Sequence, residues 1–485
     1  MDAFPVNRAW ELVLTGRDSR KLMGHLFPGD HQEHGAVLLA GVHVLRGRVR
    51  LLVRDVILAT DHVDHVAGKR GNWMLTAQFI RPHLLRARNE KLVYLSVHNH
   101  GGDDRVAFSR DDTASHERGY PALLDIVQGM PVGALVFAPH AVAADLWLPT
   151  GKRVGVRRAM VVGSQRICLY PEPPKQAPGI VAPRFSRQVL MFGETGQRIL
   201  RDSKVAIVGL GGVGSQLAEL LSRLGVGHFV LIDPDRADVS NLPRLVASRW
   251  WDVLVSEATA ARWGWARPLL DRLRRQKIDL AARNIRRANR VAKIERVFGS
   301  VVAPENAARL LNCDFIFLAA DQMSARLVFN AIVHQYLIPG VQVGARVVAN
   351  SQAGEVTDVF AVSRPVGPDS GCLWCNGLID ATKLQLEATE QKQAASQRYG
   401  TESPAPSVMT LNALAAADAA NLFQFYMTGL AVDGSFDIYR RYHPLRGGLM
   451  QQEPRHSGTC PECGRGENAR FGKGDGAHLP TMPGA

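Results

Sequence analysis

Between Lys204 and Gly225 the chain reads KVAIVGLGGVGSQLAELLSRLG, and few stretches restrict a fold more tightly. The β-branched run KVAIV predicts a short buried strand, which Gly209, Gly211, Gly212 and Gly214 break into a tight turn. Apolar residues at helical spacing follow. Glycines let the backbone approach a phosphate closely, and the amino terminus of the next helix favours an anion. The run GHFVLID then ends in Asp233, spaced to hydrogen-bond a ribose. Strand, glycine loop, helix and acidic strand end predict a doubly wound, Rossmann-like α/β fold that binds a nucleotide. Alone, the loop would suit a dehydrogenase nearly as well.

Downstream, IERVFGSVV and DFIFLAA continue the alternation of short apolar strands with longer helical stretches. Upstream, AVLLAGV, VRLLVRDVIL, LVYLSVH and VGALVFAP read as strands, and RDDTASHERGYPALLDIV reads as a helix. That pattern predicts a separate domain of mixed α/β sheet. The proline-rich stretch PEPPKQAPG lies between the two and favours an extended spacer. The expected division is a domain over 1–168, a linker over 169–183, a nucleotide-binding domain over 184–464 and a disordered tail over 465–485, rich in Gly, Pro and charge.

The 485 residues are 46% hydrophobic and 21% charged, which excludes a mainly disordered or collagen-like chain. No run approaches about 18 uncharged apolar residues, and the start lacks the layout of a signal peptide, so a cytoplasmic protein without a membrane partner is expected. The net charge of +13 is spread along the chain without a long basic block, so no nucleic acid partner is expected.

In the first domain, LVYLSVH runs into His98-Asn99-His100, a glycine-containing loop, and then Ser109-Arg110-Asp111-Asp112. Residues two apart on a strand point the same way, so both imidazoles can face one metal. Asp112 can complete the set, with Asp111 as its alternative. Two His and one carboxylate leave a fourth tetrahedral position open, as catalytic zinc requires. His-x-His followed by Ser-x-x-Asp resembles the JAB/MPN metalloproteases, also called JAMM proteases, which cleave ubiquitin-like proteins from their conjugates. The resemblance implies Glu33, at the start of the apolar strand in HQEHGAVLL, as general base and Ser109 as hydrogen-bond donor to the oxyanion.

In the second domain the motifs Arg184-Phe185-Ser186-Arg187-Gln188, Asp233-Pro234-Asp235 and Val239-Ser240-Asn241-Leu242-Pro243-Arg244 flank the glycine loop. Lys277 and Asp321 follow. Together they resemble the ThiF/MoeB/HesA superfamily, the adenylation fold of ubiquitin-activating enzymes, over most of 184–463. The resemblance implies that Arg187, Arg244 and Lys277 bind the triphosphate of ATP, Arg187 reaching across a homodimer interface. It further implies Asp233 on the ribose, Asn241 on the phosphates and Asp321 on Mg²⁺. The chain departs from the pattern between Arg244 and Lys277, where an insertion carries Trp250, Trp251, Trp263 and Trp265. That insertion is expected to be a covering helix, a docking surface or core.

Four of the 6 cysteines form two Cys-x-x-Cys pairs, Cys372/Cys375 and Cys460/Cys463. Their chemistry points to Zn²⁺, and the resemblance implies a closed structural Cys₄ clip. Cys168 and Cys313 lie among apolar residues and read as inert thiols. Ubiquitin-activating enzymes usually carry a cysteine in the loop after the first zinc pair, and this loop has none. The resemblance leaves three acceptors for the activated carboxylate: a separate protein, a thiol elsewhere, or a loop hydroxyl near Ser396, with Thr401 and Ser403 beside it.

The combined resemblance implies a bifunctional enzyme that adenylates a ubiquitin-like β-grasp protein with ATP and Mg²⁺ and trims or removes it by zinc hydrolysis. A conjugating enzyme is its expected partner. The alternative is activation and maturation of a sulfur-carrier protein.

Overall fold

The run Gly35–Val44 is apolar at nearly every position because it lies inside a sheet covered on both faces. Residues 4–30, 32–61, 63–67, 73–174, 182–350, 355–394, 406–432 and 434–482 are described by the structure, a computed structural model. They fall into two units, one of Met1–Pro178, His334–Leu337 and Ser457–His478, the other of Gly179–Val333, Ile338–His456 and Leu479–Ala485.

In the first unit the elements are β1 (Ala9–Thr15), α1 (Gly16–Leu26), β2 (Gly35–Val44), β3 (Arg48–Leu58), β4 (His65–Ala67), β5 (Trp73–Leu75), α2 (Ala77–Glu90), β6 (Val93–Asn99) and α3 (Arg110–Val127). β7 (Val132–Ala138), β8 (Ala141–Trp147), β9 (Arg153–Val154), β10 (Val156–Val162) and β11 (Arg166–Leu169) complete it. Nine strands form a mixed sheet in the order β11-β10-β1-β3-β2-β6-β7-β8-β9. Alternate residues of β2 serve opposite layers. Ala36, Leu38 and Ala40 join Trp10, Leu12 and Leu14 in one core, while Val37 and Leu39 join Leu84 of α2 and Tyr120 of α3 in the other.

The expected disorder of residues 465–485 is corrected by residues 465–478, which are ordered within this unit. The fully buried Arg54 donates to the carbonyls of Ala469 at 3.1 Å and Gly466 at 2.5 Å. Phe471 is buried, and Asp475 holds the ring of His43 at 2.8 Å. A buried guanidinium needs acceptors, and the tail supplies them.

The second unit follows with α4 (Ser186–Asp202), β12 (Lys204–Val208), α5 (Gly212–Leu224), β13 (His228–Asp233), α6 (Glu257–Arg262), α7 (Arg267–Leu270), α8 (Lys277–Ala288), β14 (Lys293–Phe298), α9 (Pro304–Leu310) and β15 (Phe315–Leu318). α10 (Met323–Tyr336, its end from His334 grouped with the first unit), β16 (Gly340–Asn350), β17 (Glu355–Val366), α11 (Ala381–Ala394), α12 (Met409–Thr428), β18 (Tyr439–His443) and β19 (Gly448–Gln452) end the series. Its sheet runs β14-β13-β12-β15-β16-β17-β18-β19. The first five strands are parallel, and β17 to β19 continue antiparallel. The strand order reverses between β12 and β15, and such a switch point opens a crevice at the carboxyl ends of the strands. α5 and α12 cover the sheet through Leu217, Leu221, Ala415, Ala419 and Phe423. No helix among the described residues is long and apolar enough to cross a membrane.

Candidate functional site

The glycine loop leaves β12 at that switch point, and three of its four glycines are required by close approach. Gly209 has φ +87°, and a Cβ on it would come within 2.8 to 3.0 Å of the backbone of Ala319 and Ala320. A Cβ on Gly214 would meet the carbonyl oxygen of Gly209 at 1.9 Å, and one on Gly212 would meet Asn412 Nδ2 at 2.1 Å. Gly211 faces open space. α5 starts at this loop with no side-chain cap, so its first N–H groups remain available to an anion.

Asp233 ends β13 and holds the loop in place. Its Oδ2 accepts from the Leu210 N–H at 2.6 Å and its Oδ1 from the Asp235 N–H at 2.8 Å. Burial pushes this carboxyl above its usual range, against the opposing pull of Lys277. Asn241 and Arg244 share the turn that follows. Asn241 Oδ1 accepts from the Asp238 N–H at 3.2 Å, and Arg244 donates to the Ser240 carbonyl at 2.9 Å. Lys277 opens α8 and points Nζ at Asp235 Oδ2, 2.6 Å away. Asp321 is exposed just beyond β15, across the switch point from the loop.

Arg187 lies exposed on the first turn of α4, and no hydrogen bond given for the described residues ties it to the glycine loop. Ser396, Thr401 and Ser403 lie outside the described residues. Two contributors escaped the sequence reading. Asn412 presses on Gly212 from α12, and its signal was hidden in a helix that is apolar nearly all round. Asp235 holds Lys277, and its spacing in Asp233-Pro234-Asp235 was the available clue.

The tryptophan insertion forms the short helices α6 and α7 among 3₁₀ turns, neither one covering helix nor core. Trp250, Trp263 and Trp265 are 70%, 51% and 84% exposed. Its two ends are tied by the Val253–Arg274 bridge, and Arg283 of α8 grips Asp252 at 2.6 Å.

In the first unit, β6 carries His98 and His100 with their Nε2 atoms 3.2 Å apart. Asp112 lies 3.6 Å from His98 Nε2 and 3.4 Å from His100 Nε2, and these three offer ligand atoms all within 4.8 Å of one another. Asp111 is not part of the group. The two rings and Ser109 hold the Asp112 carboxylate far below its usual range despite burial, while Asp112 raises His100. His100 Nδ1 faces the Ala107 carbonyl at 3.1 Å, which orients its other nitrogen toward the group. Glu33 Oε1 stands 3.8 Å from His100 Nε2. Ser109 caps α3: its hydroxyl donates to Asp112 Oδ2 at 2.7 Å and accepts from the Asp112 N–H at 3.1 Å. The serine therefore orients the carboxylate.

Cys372 and Cys375 belong to the second unit, where Asn330 donates to the Cys372 sulfur at 3.8 Å. Cys460 and Cys463 belong to the segment grouped with the first unit, where the Glu462 N–H approaches the Cys460 sulfur at 3.4 Å. Each pair offers two thiol donors in the Cys-x-x-Cys spacing that suits a metal. Cys313 is buried and Cys168 half-buried.

The model of the ThiF family matches residues 185–428, half of the chain. The tRNA threonylcarbamoyladenosine dehydratase of Escherichia coli is 27% identical over 163 residues, 33% of this chain and 53% of that protein. The molybdopterin-synthase adenylyltransferase of E. coli is 31% identical over 150 residues, 30% of this chain and 52% of that protein. Among solved structures, E. coli MccB with ATP aligns with a TM-score of 0.43 at 20% identity, over 59% of this chain and 75% of that one. The chain spans about half the length, or less, of the first curated relatives it matches.

Proposed function

The chain belongs to the ThiF family, and from that premise we propose that its second unit activates the carboxyl terminus of a ubiquitin-like β-grasp protein by adenylation. In this reaction the carboxylate oxygen attacks the α-phosphorus of ATP, the bond to the bridging oxygen breaks, and pyrophosphate leaves as the acyl-adenylate forms. The observation that supports the reading is that Asp233 and Arg244 lie against the glycine loop while Lys277 is held by Asp235 beside them. The glycine loop and the uncapped start of α5 suit the phosphates, and Asp233 suits the ribose. Arg244 and Lys277 bring the cations that phosphoryl chemistry uses, with Arg187 of a second copy as a further one. Asp321 suits Mg²⁺, which would neutralise charge on the leaving phosphates.

The first unit we assign to zinc-dependent peptidase chemistry of the JAMM type on the same carrier. Two imidazoles and one carboxylate, with the Glu33 carboxylate beside them, fit a catalytic zinc, which when bound supplies Lewis acidity to an attacking water. Glu33 then takes and returns the proton. Each Cys-x-x-Cys pair has the chemistry of a structural zinc ligand pair. A conjugating enzyme would accept the activated carrier, and homodimers would complete the site through Arg187.

A second reading, activation and maturation of a sulfur-carrier protein, is favoured by the match to molybdopterin-synthase adenylyltransferase. Both readings are tested by incubating the protein with ATP, Mg²⁺ and each small β-grasp protein encoded nearby. Carrier-dependent release of AMP or pyrophosphate is expected, and its absence with every carrier would sink the adenylation reading. Transfer to a conjugating enzyme, or to a sulfurtransferase, separates the two.

A further inference from the structure

At the amino ends of the second unit's strands, opposite to the glycine loop, the described residues enclose a cavity of about 320 Å³. This is the lower end of ligand-pocket sizes. A glycine lets the wall pack tightly. Gly225 has φ +90°, and a Cβ there would come within 2.6 Å of Gln197 and 2.8 Å of the Phe185 ring. The cavity wall is cationic: Arg184, Arg198, Arg201 and Lys293 line it, against the single carboxylate of Asp202, which Arg201 holds at 2.8 Å. His228, also on the wall, is pulled below its ordinary value by burial and then by Lys293 and Lys204, as expected in a positive field.

Two further features point to a ligand rather than a merely solvated basic edge. Arg184 is fixed by Asn289 Oδ1 at 2.8 Å and lies over the Phe185 ring at 4.6 Å, which makes a flat, half-apolar wall. Gln197 is 3% exposed and spends its amide N–H on the Leu224 carbonyl at 3.0 Å. Its Oε1 is buried without a partner. Buried acceptors without a donor are rare, and this one belongs to a residue of the cavity wall.

We infer that this cavity binds a mononucleotide, its phosphate held by Arg198, Arg201 and Lys293 and its base against the Arg184–Phe185 stack. The site lies apart from the glycine loop and takes no part in the adenylation chemistry. Phosphate favours guanidinium donors, and a planar base favours an aromatic wall.

The test titrates AMP calorimetrically into the full-length protein after the glycine loop has been saturated with a non-hydrolysable ATP analogue. One AMP per chain is expected to bind. The pair Arg198→Glu and Lys293→Glu, both reversals of charge on the cavity wall, should weaken it by about tenfold or more. The conservative pair Arg198→Lys and Lys293→Arg should restore it, with circular dichroism confirming the fold of both. AMP that binds the reversed pair as well as the wild type, or no binding to the wild type, overturns the site. Inorganic phosphate or adenosine alone binding as tightly as AMP overturns its assignment to a nucleotide. Failure of the ATP analogue to bind while AMP behaves as stated would sink the adenylation reading and uphold this one.

Discussion

Asn99 grips both neighbours of Glu33. Its Oδ1 accepts from the His34 N–H at 2.6 Å, and its Nδ2 donates to the Gln32 carbonyl at 3.0 Å. Strand alternation turns Asn99 away from His98 and His100, so one strand aims both imidazoles at the candidate metal and fixes the loop that carries the base.

Replacing Asn99 by Ala should therefore separate positioning from metal binding. The donors His98, His100 and Asp112 stay, so the zinc content measured by mass spectrometry should match the wild type. Peptidase turnover should fall by about tenfold or more, because a general base displaced by a fraction of an ångström loses its geometry. Unchanged turnover would show that Glu33 needs no such grip.

Asp145 predicts an acid transition in the first unit. Although burial raises its carboxyl, the bonds from His116, Arg153 and Trp147 win and lower it from 3.8 to about 2. The folded value lies below the unfolded one, so the stabilisation is complete above about pH 4 and is lost as pH falls through about 2. Its size is about 2 kcal/mol. Asp145→Asn should lower the melting temperature at neutral pH and flatten its dependence between pH 4 and 2. A parallel downward shift across that range would contradict the assignment.

The sites were legible where the chemistry is local, and much less so where it depends on distant partners. LVYLSVH became β6, so the His-x-His pair faces one way, and KVAIV followed by glycines became β12 and the loop. Asp112 over Asp111 came from the Ser-x-x-Asp pattern, and the same spacing gives Ser109 and Asp112 a capping box in the structure. The tail after Gly464 escaped because its glycine- and charge-rich sequence has no periodicity, while its order depends on Arg54, several hundred residues away. The insertion escaped because its tryptophans neither repeat at helical spacing nor enter a core. Arg184 was visible only as a motif, since Asn289 and Gly225, which complete its cavity, come from other elements.

The Lys277–Asp235 pair predicts a contrast between stability and activity. Lys277 is nearly buried, whereas Asp235 is largely exposed, so the pair contributes about 1 kcal/mol or less to folding. Asp235→Ala should hardly move the melting temperature. Lys277→Met removes a cation from the phosphates and should lower pyrophosphate exchange by about a hundredfold or more. A Lys277→Met protein that exchanges normally would move the cationic clamp elsewhere.

The fate of the acyl-adenylate can be read from mass alone. The loop after Cys375 has no cysteine, while Cys313 is buried and Cys168 half-buried, which disfavours a thioester on this chain. A serine hydroxyl is a weak nucleophile, yet an acyl-adenylate is reactive enough to be attacked when held beside it. In that step the hydroxyl oxygen bonds to the acyl carbon, AMP leaves, and the proton passes to solvent. Intact mass after incubation with carrier, ATP and Mg²⁺ distinguishes the routes. An adduct that survives thiol reductant, yields to hydroxylamine and disappears in Ser396→Ala would establish the oxyester. Carrier-dependent AMP without any adduct would establish direct transfer to a second protein. An adduct lost to reductant would return the search to Cys168 and Cys313, each tested by replacement with serine.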